Sequence, residues 1–375
     1  MRTSPASART RALGAGIASA AIVTAATAAV AGGHLHAGTA GGSSYHHVIV
    51  IPEENHGYGQ IIGSNQAPYI NSLASTYGLA TNYTAGVPAA DHSLPSYLLM
   101  TAGTPGVNVN GSDCAPSACP QPEDSVFHQA SVAGIGWHGY AESIPSNCDR
   151  SATAGLYAAR HLPAPYFTDL SDCTTNDTGL TPLASDLTAG LPAAYNMVTP
   201  NLADDMHNGS VAQGDAWLRT WVPKMMAGKD YQAGDLAIFI TWDEGTGSSN
   251  QVATIVISPT TSSVKDATPY THASLLRTTE DLLGLPALGA AAAAPSMVAG
   301  FHLGGGAGPT PTPTSGSPTA SPSPSPSPTD SPTTSPSGRD RDHRCKAPDA
   351  GSSLDRNHRQ RCECRGGDRR RCPRR

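Results

Sequence analysis

The chain has 375 residues, a formal net charge of −6, and 38% hydrophobic, 14% charged and 5% aromatic residues. The mild acidity gives no reason to expect nucleic acid as a partner, and the scarcity of aromatics argues against stacking platforms for carbohydrate. With 39 Gly and 32 Pro, the composition is that of a loop-rich protein, and residues 45–302 are enough for one large α/β core.

At the N-terminus, Arg2, Arg9 and Arg11 precede a small, mostly apolar run over residues 12–29 and the A-x-A-like Ala29-Val30-Ala31. This is the pattern of a secretory signal over residues 1–31, cleaved after Ala31, with residues 32–44 as a short linker. The run is short and built from Ala rather than Leu, so no stable membrane anchor is expected. Export permits disulfides, and the core holds Cys114, Cys119, Cys148 and Cys173. Of three possible pairings, Cys114–Cys119 and Cys148–Cys173 are preferred.

His47-Val48-Ile49-Val50-Ile51 reads as a buried strand running into Pro52-Glu53-Glu54-Asn55-His56. Residues 67–78 read as a helix opened by Pro68 and closed by Gly78. In residues 91–103, Ser93 is expected to cap a short helix, with Pro95 in its first turn and Gly103 at its end. Residues 104–173 are loop-rich and are expected to hold the cap over the site. Residues 215–223 read as a helix stopped by Pro223. Leu236-Ala237-Ile238-Phe239-Ile240-Thr241 is a second buried strand, ending in Trp242-Asp243-Glu244-Gly245. Residues 252–258 form a third strand, and residues 273–283 a helix ended by Gly284. Ligands of open α/β sheets bind at strand carboxyl ends, so two strands ending in carboxylates and a carboxamide define one polar, metal-binding site.

Five segments extend this reading. Glu54-Asn55-His56, His92-Ser93-Leu94-Pro95-Ser96-Tyr97-Leu98, the stretch from Pro200 to Asn208, Thr241-Trp242-Asp243-Glu244-Gly245, and the stretch from Thr271 to Leu285 occur in this order. Together with segments around His138 and Arg160-His161, the series resembles the phosphoesterase family of bacterial acid phosphatases and phosphatidylcholine-type phospholipases C. That family belongs to the alkaline-phosphatase-like superfamily. The resemblance implies a three-layer α/β sandwich with a mostly parallel central sheet. It implies metal binding by Glu54, Asn55, Asp243 and Glu244, and a phosphoseryl intermediate on Ser93. His138, His161 and His207 would line the phosphate pocket together with Ser96, His272 would sit near the metal or leaving group, and Asp205 would orient His207 or touch the metal. Ser96 stands where the family usually has Asn, His138 where Lys is common, and Glu244 where some members have Asp.

The oxygen ligands point to Ca, Mg or Mn as the divalent cation, and added histidines shift the preference toward Zn or Fe. The expected activity is secreted hydrolysis of phosphate monoesters, with a small phosphate ester or a phospholipid head group as partner. A phospholipase C-type phosphodiesterase is the alternative within the family; a single core domain favours the monoesterase. An inactive secreted binding protein is the alternative of another class. A Ser-His-Asp esterase is disfavoured, because the chain has no G-x-S-x-G.

Residues 303–337 pass from Gly into a Pro/Ser/Thr tract, an extended linker. Residues 338–375 are rich in Arg, nearly free of large apolar residues, and carry Cys345, Cys362, Cys364 and Cys372. Such a tail is expected to be disordered. Three readings stand: a disulfide or metal knot, a basic tail on anionic cell-surface polymer, or the frame-shifted remnant of a lost binding module, which is preferred.

Overall fold

A computed structural model describes residues 45–89 and 92–304. The expected signal segment, the linker before residue 45, the Pro/Ser/Thr tract and the basic tail lie outside the described residues.

The strands in chain order are β1 (His47–Glu53), β2 (Gly78–Ala80), β3 (Trp137–Ala141), β4 (Thr153–Ala154), β5 (Tyr157–Ala158), β6 (Asp177–Gly179), β7 (Tyr195–Thr199), β8 (Leu236–Trp242), β9 (Thr254–Ile257) and β10 (Val264–Asp266). Eight of them form one sheet in the order β10-β2-β9-β8-β1-β7-β3-β6, and β4 and β5 form a separate ribbon. Only β9 runs against its neighbours β8 and β2; the other pairings are parallel. β1 and β8 are buried along almost their whole length, as strands covered by helices on both faces must be. Their Val, Ile, Leu and Phe side chains fill the core.

The helices fall into two packs. Helix Pro68–Thr76 and helix Leu183–Ala189 both pack on the long helix Val211–Ala227. Helix Ser93–Ala102 packs on helix His272–Leu283 and on the short 3-10 turn Ala159–His161. The expected α/β architecture with a mostly parallel sheet is therefore present.

Several expectations are corrected in detail. Pro223 does not stop its helix, which continues to Ala227; proline removes one hydrogen bond, and Val222 and Met225, both buried, hold the turn in place. Gly78 does not cap the preceding helix but begins β2, where a Cβ would stand 2.5 Å from the Phe301 ring. Both preferred disulfides, Cys114–Cys119 and Cys148–Cys173, are formed. No described helix is long and apolar enough to cross a membrane.

Helix His272–Leu283 carries a fully buried Glu280, whose Oε1 accepts from Leu288 N–H at 2.8 Å while Oε2 has no partner. Burial raises its pKa to about 8. The folded state therefore favours the neutral acid. Stability is fullest below the unfolded carboxyl value and is lost as pH rises toward 8. Glu280→Gln removes that loss: its melting temperature should match wild type near pH 4.5 and exceed it by roughly 5–10 °C at pH 8. A gap between the two melting curves that does not widen with pH would contradict the assignment.

Candidate active site

The carboxyl ends of β1, β8 and β7 lie side by side. Pairing in register from His47 with Leu236 to Glu53 with Trp242 brings Glu54 and Asp243 out at the same level. Asp243 N–H then donates to Glu53 O at 2.9 Å, and Glu54 N–H to Asp205 O at 2.8 Å. Successive strand residues face opposite sides, so Glu54 turns toward helix Ser93–Ala102 and Glu53 away from it.

Ser93 does not cap that helix, as the sequence suggested. His92 is the capping position, and Ser93 is the first helical residue. Its hydroxyl is free of capping duty and donates to Glu54 Oε2 at 3.0 Å. The Leu94 N–H that a cap would satisfy donates instead to Asp113 Oδ1 at 3.0 Å. One turn on, Tyr97 O–H donates to Glu54 Oε1 at 2.5 Å. Positions i and i+4 of a helix share a face, so serine and tyrosine grip the two oxygens of one carboxylate. Between them lies Ser96, fully buried, its Oγ without a protein partner.

The carboxylates are held against solvation cost. Glu54 and Asp243 are fully buried. Burial, then Asp243 and Asp205, push the Glu54 pKa well up, and burial raises Asp243 to about 7. Asn55 sits at φ 51°, a left-handed conformation that Asn tolerates. In that pose its N–H donates to Asp243 Oδ1 at 2.9 Å. Glu244 is half-buried in the turn that follows Asp243.

His161 lies between two carboxylates, with Nδ1–H donating to Asp205 Oδ2 at 3.0 Å and Nε2 3.2 Å from Glu54 Oε1. It stacks on Tyr97, ring centroids 5.3 Å apart. Burial keeps its pKa well below the usual imidazole range. Asp205, not Asp204, is the member of its pair on His161, and burial raises it to about 7. Its Oδ1 accepts from His207 N–H at 2.8 Å, across Met206 in a left-handed conformation (φ 78°). His207 is exposed at the mouth, where its Nε2 accepts from Arg160 Nη2 at 3.3 Å.

Two expected site residues are placed differently. His138 lies level with Asn196 and Ile49, several residues before the strand ends. It bonds Thr178 Oγ1 at 2.9 Å and packs on Tyr140, so it does not line the site. His272 does reach the site, but as a support. Its Nε2–H donates to the Asp243 carbonyl at 2.6 Å and its Nδ1 accepts from Tyr83 O–H at 3.0 Å. With both nitrogens taken and burial lowering its pKa to about 4, it positions Asp243 and has no proton to give a substrate.

The sequence reading assigned no role to Tyr97, Arg160 or Asp113. The i+4 spacing from Ser93 is the signal by which Tyr97 could be found, and adjacency to His161 the one for Arg160. Asp113 carries no local signal.

The donor set fits a hard divalent cation. Asn55 Oδ1 and Asp243 Oδ2 are buried without a protein partner, a costly arrangement unless something else binds there. Carboxylate and carboxamide oxygens suit Ca, Mg or Mn. Glu54, His161 and Asp205 form a second candidate grouping, their ligand atoms within 4.8 Å of one another, and the imidazole there adds affinity for Zn or Fe.

The model of the phosphoesterase family matches residues 63–286, and the chain belongs to that family. It is 31% identical over 254 residues to the phosphatidylinositol-3-phosphatase of Mycobacterium tuberculosis, covering 67% of this chain and 81% of that one. It is 26% identical over 237 residues to an acid phosphatase of Aspergillus fumigatus, covering 58% of this chain and 51% of that enzyme, so it spans about half the fungal protein's length. Among solved structures it is similar to an alkaline phosphatase superfamily protein from Vibrio parahaemolyticus, with TM-score 0.43, 10% identity, and coverage of 64% and 66% of the two chains. The protein is a hydrolase of phosphoric esters.

A cation held by Asp243 would have to displace the proton that burial favours there. Divalent-cation affinity of the chelator-treated protein, measured by titration calorimetry, should weaken about tenfold per unit as pH falls from 7 to 5. Asp243→Asn should lower the affinity at pH 8 by about tenfold or more. An affinity flat across this range would count against Asp243 as a ligand.

Proposed function

We propose that this protein hydrolyses phosphate monoesters outside the cell, with Ser93 as nucleophile and phosphoseryl as the intermediate. The observation that carries the reading is the Ser93 hydroxyl, held 3.0 Å from Glu54 Oε2 at the first position of its helix. Helix N-terminal N–H groups and dipole favour a phosphoryl group there. Glu54, Asn55, Asp243 and Glu244 would hold a divalent cation, which when bound lowers the serine hydroxyl pKa and offsets phosphoryl charge.

The chain's own groups supply the rest. Glu54 Oε2, the acceptor of the Ser93 hydroxyl, takes its proton as Oγ attacks and returns it when water cleaves the phosphoserine, while Tyr97 fixes the other oxygen so that this carboxylate cannot rotate. Ser93 Oγ attacks phosphorus in line, the P–O bond to the alcohol breaks, and the alkoxide takes a proton from solvent at the mouth, where His207 is exposed. Water then attacks the phosphoserine, releasing phosphate and restoring Ser93. Positioning and charge stabilisation are most of what phosphoryl transfer needs. The two disulfides support a life outside the cell.

A surface cavity of about 780 Å³ begins at His56, two residues past Glu54. Gln60, Asn65, Gln66 and Ser210 line it with neutral hydrogen-bonding groups. The mycobacterial relative is named a phosphatidylinositol-3-phosphatase, which supports a hydroxylated leaving alcohol.

Ser93→Ala should lower p-nitrophenyl phosphate turnover by about 10³-fold or more, and EDTA should do so reversibly. Acid quench of wild type with ³²P-labelled substrate should trap label on Ser93. Turnover that persists in Ser93→Ala would remove the serine from the mechanism, and p-nitrophenylphosphorylcholine as the better substrate would move the protein to the phosphodiesterase reading.

A further inference from the structure

Arg160 stands out from the other cations. The site gathers Glu54, Asp205 and Asp243 below the mouth and Asp113 at its side, yet its substrate is an anion. Among the described residues, Arg160 is the one arginine or lysine bonded to residues of the site. Its Nε is 3.0 Å from Asp113 Oδ2, its Nη2 donates to His207 Nε2 at 3.3 Å, and its side chain is only 13% exposed. Its charge also stabilises ionised Glu54 and Asp205 and disfavours protonated His161.

The arginine is also tied to the nucleophile. Asp113 Oδ1 accepts from Leu94 N–H, the residue after Ser93, while Oδ2 faces Arg160. Asp113 is fixed in turn by its neighbour Cys114, which is closed to Cys119 and whose carbonyl accepts from Tyr166 O–H at 2.7 Å. The 3-10 turn that carries Arg160 and His161 packs on the serine helix. One aspartate thus sets both the helix start and the guanidinium.

Building on the serine phosphoesterase reading, we infer that Arg160, positioned by Asp113, is the phosphoryl-recognition cation of this site and selects doubly charged monoesters over singly charged diesters. A guanidinium can offer two parallel N–H groups to a phosphoryl oxygen pair, and a second negative charge gains most from it. A merely structural arginine would affect all substrates alike through loss of the fold around Asp113.

The test uses the full chain with metal supplied. Wild type, Arg160→Gln, Arg160→Lys and Asp113→Asn are compared for inorganic phosphate Kd by calorimetry, for kcat and KM on p-nitrophenyl phosphate and p-nitrophenylphosphorylcholine, and for melting temperature. Arg160→Gln should weaken phosphate and raise the monoester KM about 10- to 100-fold. Its effect on the diester should stay within about threefold. Arg160→Lys should fall between, since it keeps the charge and loses the fork. Asp113→Asn should raise the monoester KM with a smaller loss in phosphate binding. If Arg160→Gln binds phosphate within threefold of wild type, or loses monoester and diester turnover equally, the inference is overturned. If Arg160→Gln does not fold, Arg160→Lys decides: unchanged phosphate affinity and monoester preference overturn it. Wild type that neither binds phosphate nor hydrolyses either ester overturns the phosphoesterase reading itself.

Discussion

Negative charge buried at the end of a parallel sheet governs this molecule. Glu54, Asp205 and Asp243 have no exposure to water, and an unpaired buried carboxylate is among the costliest groups a fold can contain. The structure answers with a dense set of donors. Ser93 and Tyr97 donate to Glu54, Asn55 N–H serves Asp243, and the His161 Nδ1–H and the His207 N–H serve Asp205. These donors leave the buried oxygens Asn55 Oδ1 and Asp243 Oδ2 without a protein partner, and hard oxygen atoms of this kind suit a cation. The apolar sheet behind the site supplies the stability that offsets this polarity, since β1 and β8 are buried along nearly their full length.

Rigidity follows from the same demand. A catalytic carboxylate displaced by an ångström loses its partner, so the supporting backbone must be over-determined. Asn55 and Met206 hold left-handed conformations on either side of the site, and such conformations persist only where surroundings enforce them. For Met206 the enforcement is visible: a Cβ on Gly214 would fall 2.3 Å from Met206 Cε. His272 belongs to this scaffolding, with one nitrogen on the Asp243 carbonyl and the other on Tyr83.

What could be read from the sequence was what short-range pattern dictates. The two apolar runs with acidic ends, the helix 273–283 and the helix closed by Gly103 are all local signals, and all are present. Disulfide pairing followed from chain proximity and proved right. Strands β2, β3 and β7 were not legible, because they are three to five residues long and owe their state to sheet neighbours distant in sequence. His138 and His272 are placed differently from expectation for a related reason. A motif says that a histidine is present but not which atoms its two nitrogens meet, and those partners separate His161 from His138 and His272. Asp113 was invisible because its hydrogen bond to Leu94 and its ion pair with Arg160 reach residues 19 and 47 positions away.

Glu53 and Glu54 show how far chemistry depends on which face of a strand a residue takes. Both are fully buried and adjacent. Glu54 points to the serine helix, where a hydroxyl, a phenol and an imidazole await it. Glu53, one residue earlier, points the other way, and neither of its oxygens has a partner. Burial, then Asp205, Asp204 and Glu142, drive its pKa well up. A shift of one residue in the β1 register would exchange the two and put the unsupported carboxyl beside Ser93. The seven-residue pairing of β1 with β8 therefore does more than hold the sheet together: it determines which of two identical side chains meets Ser93.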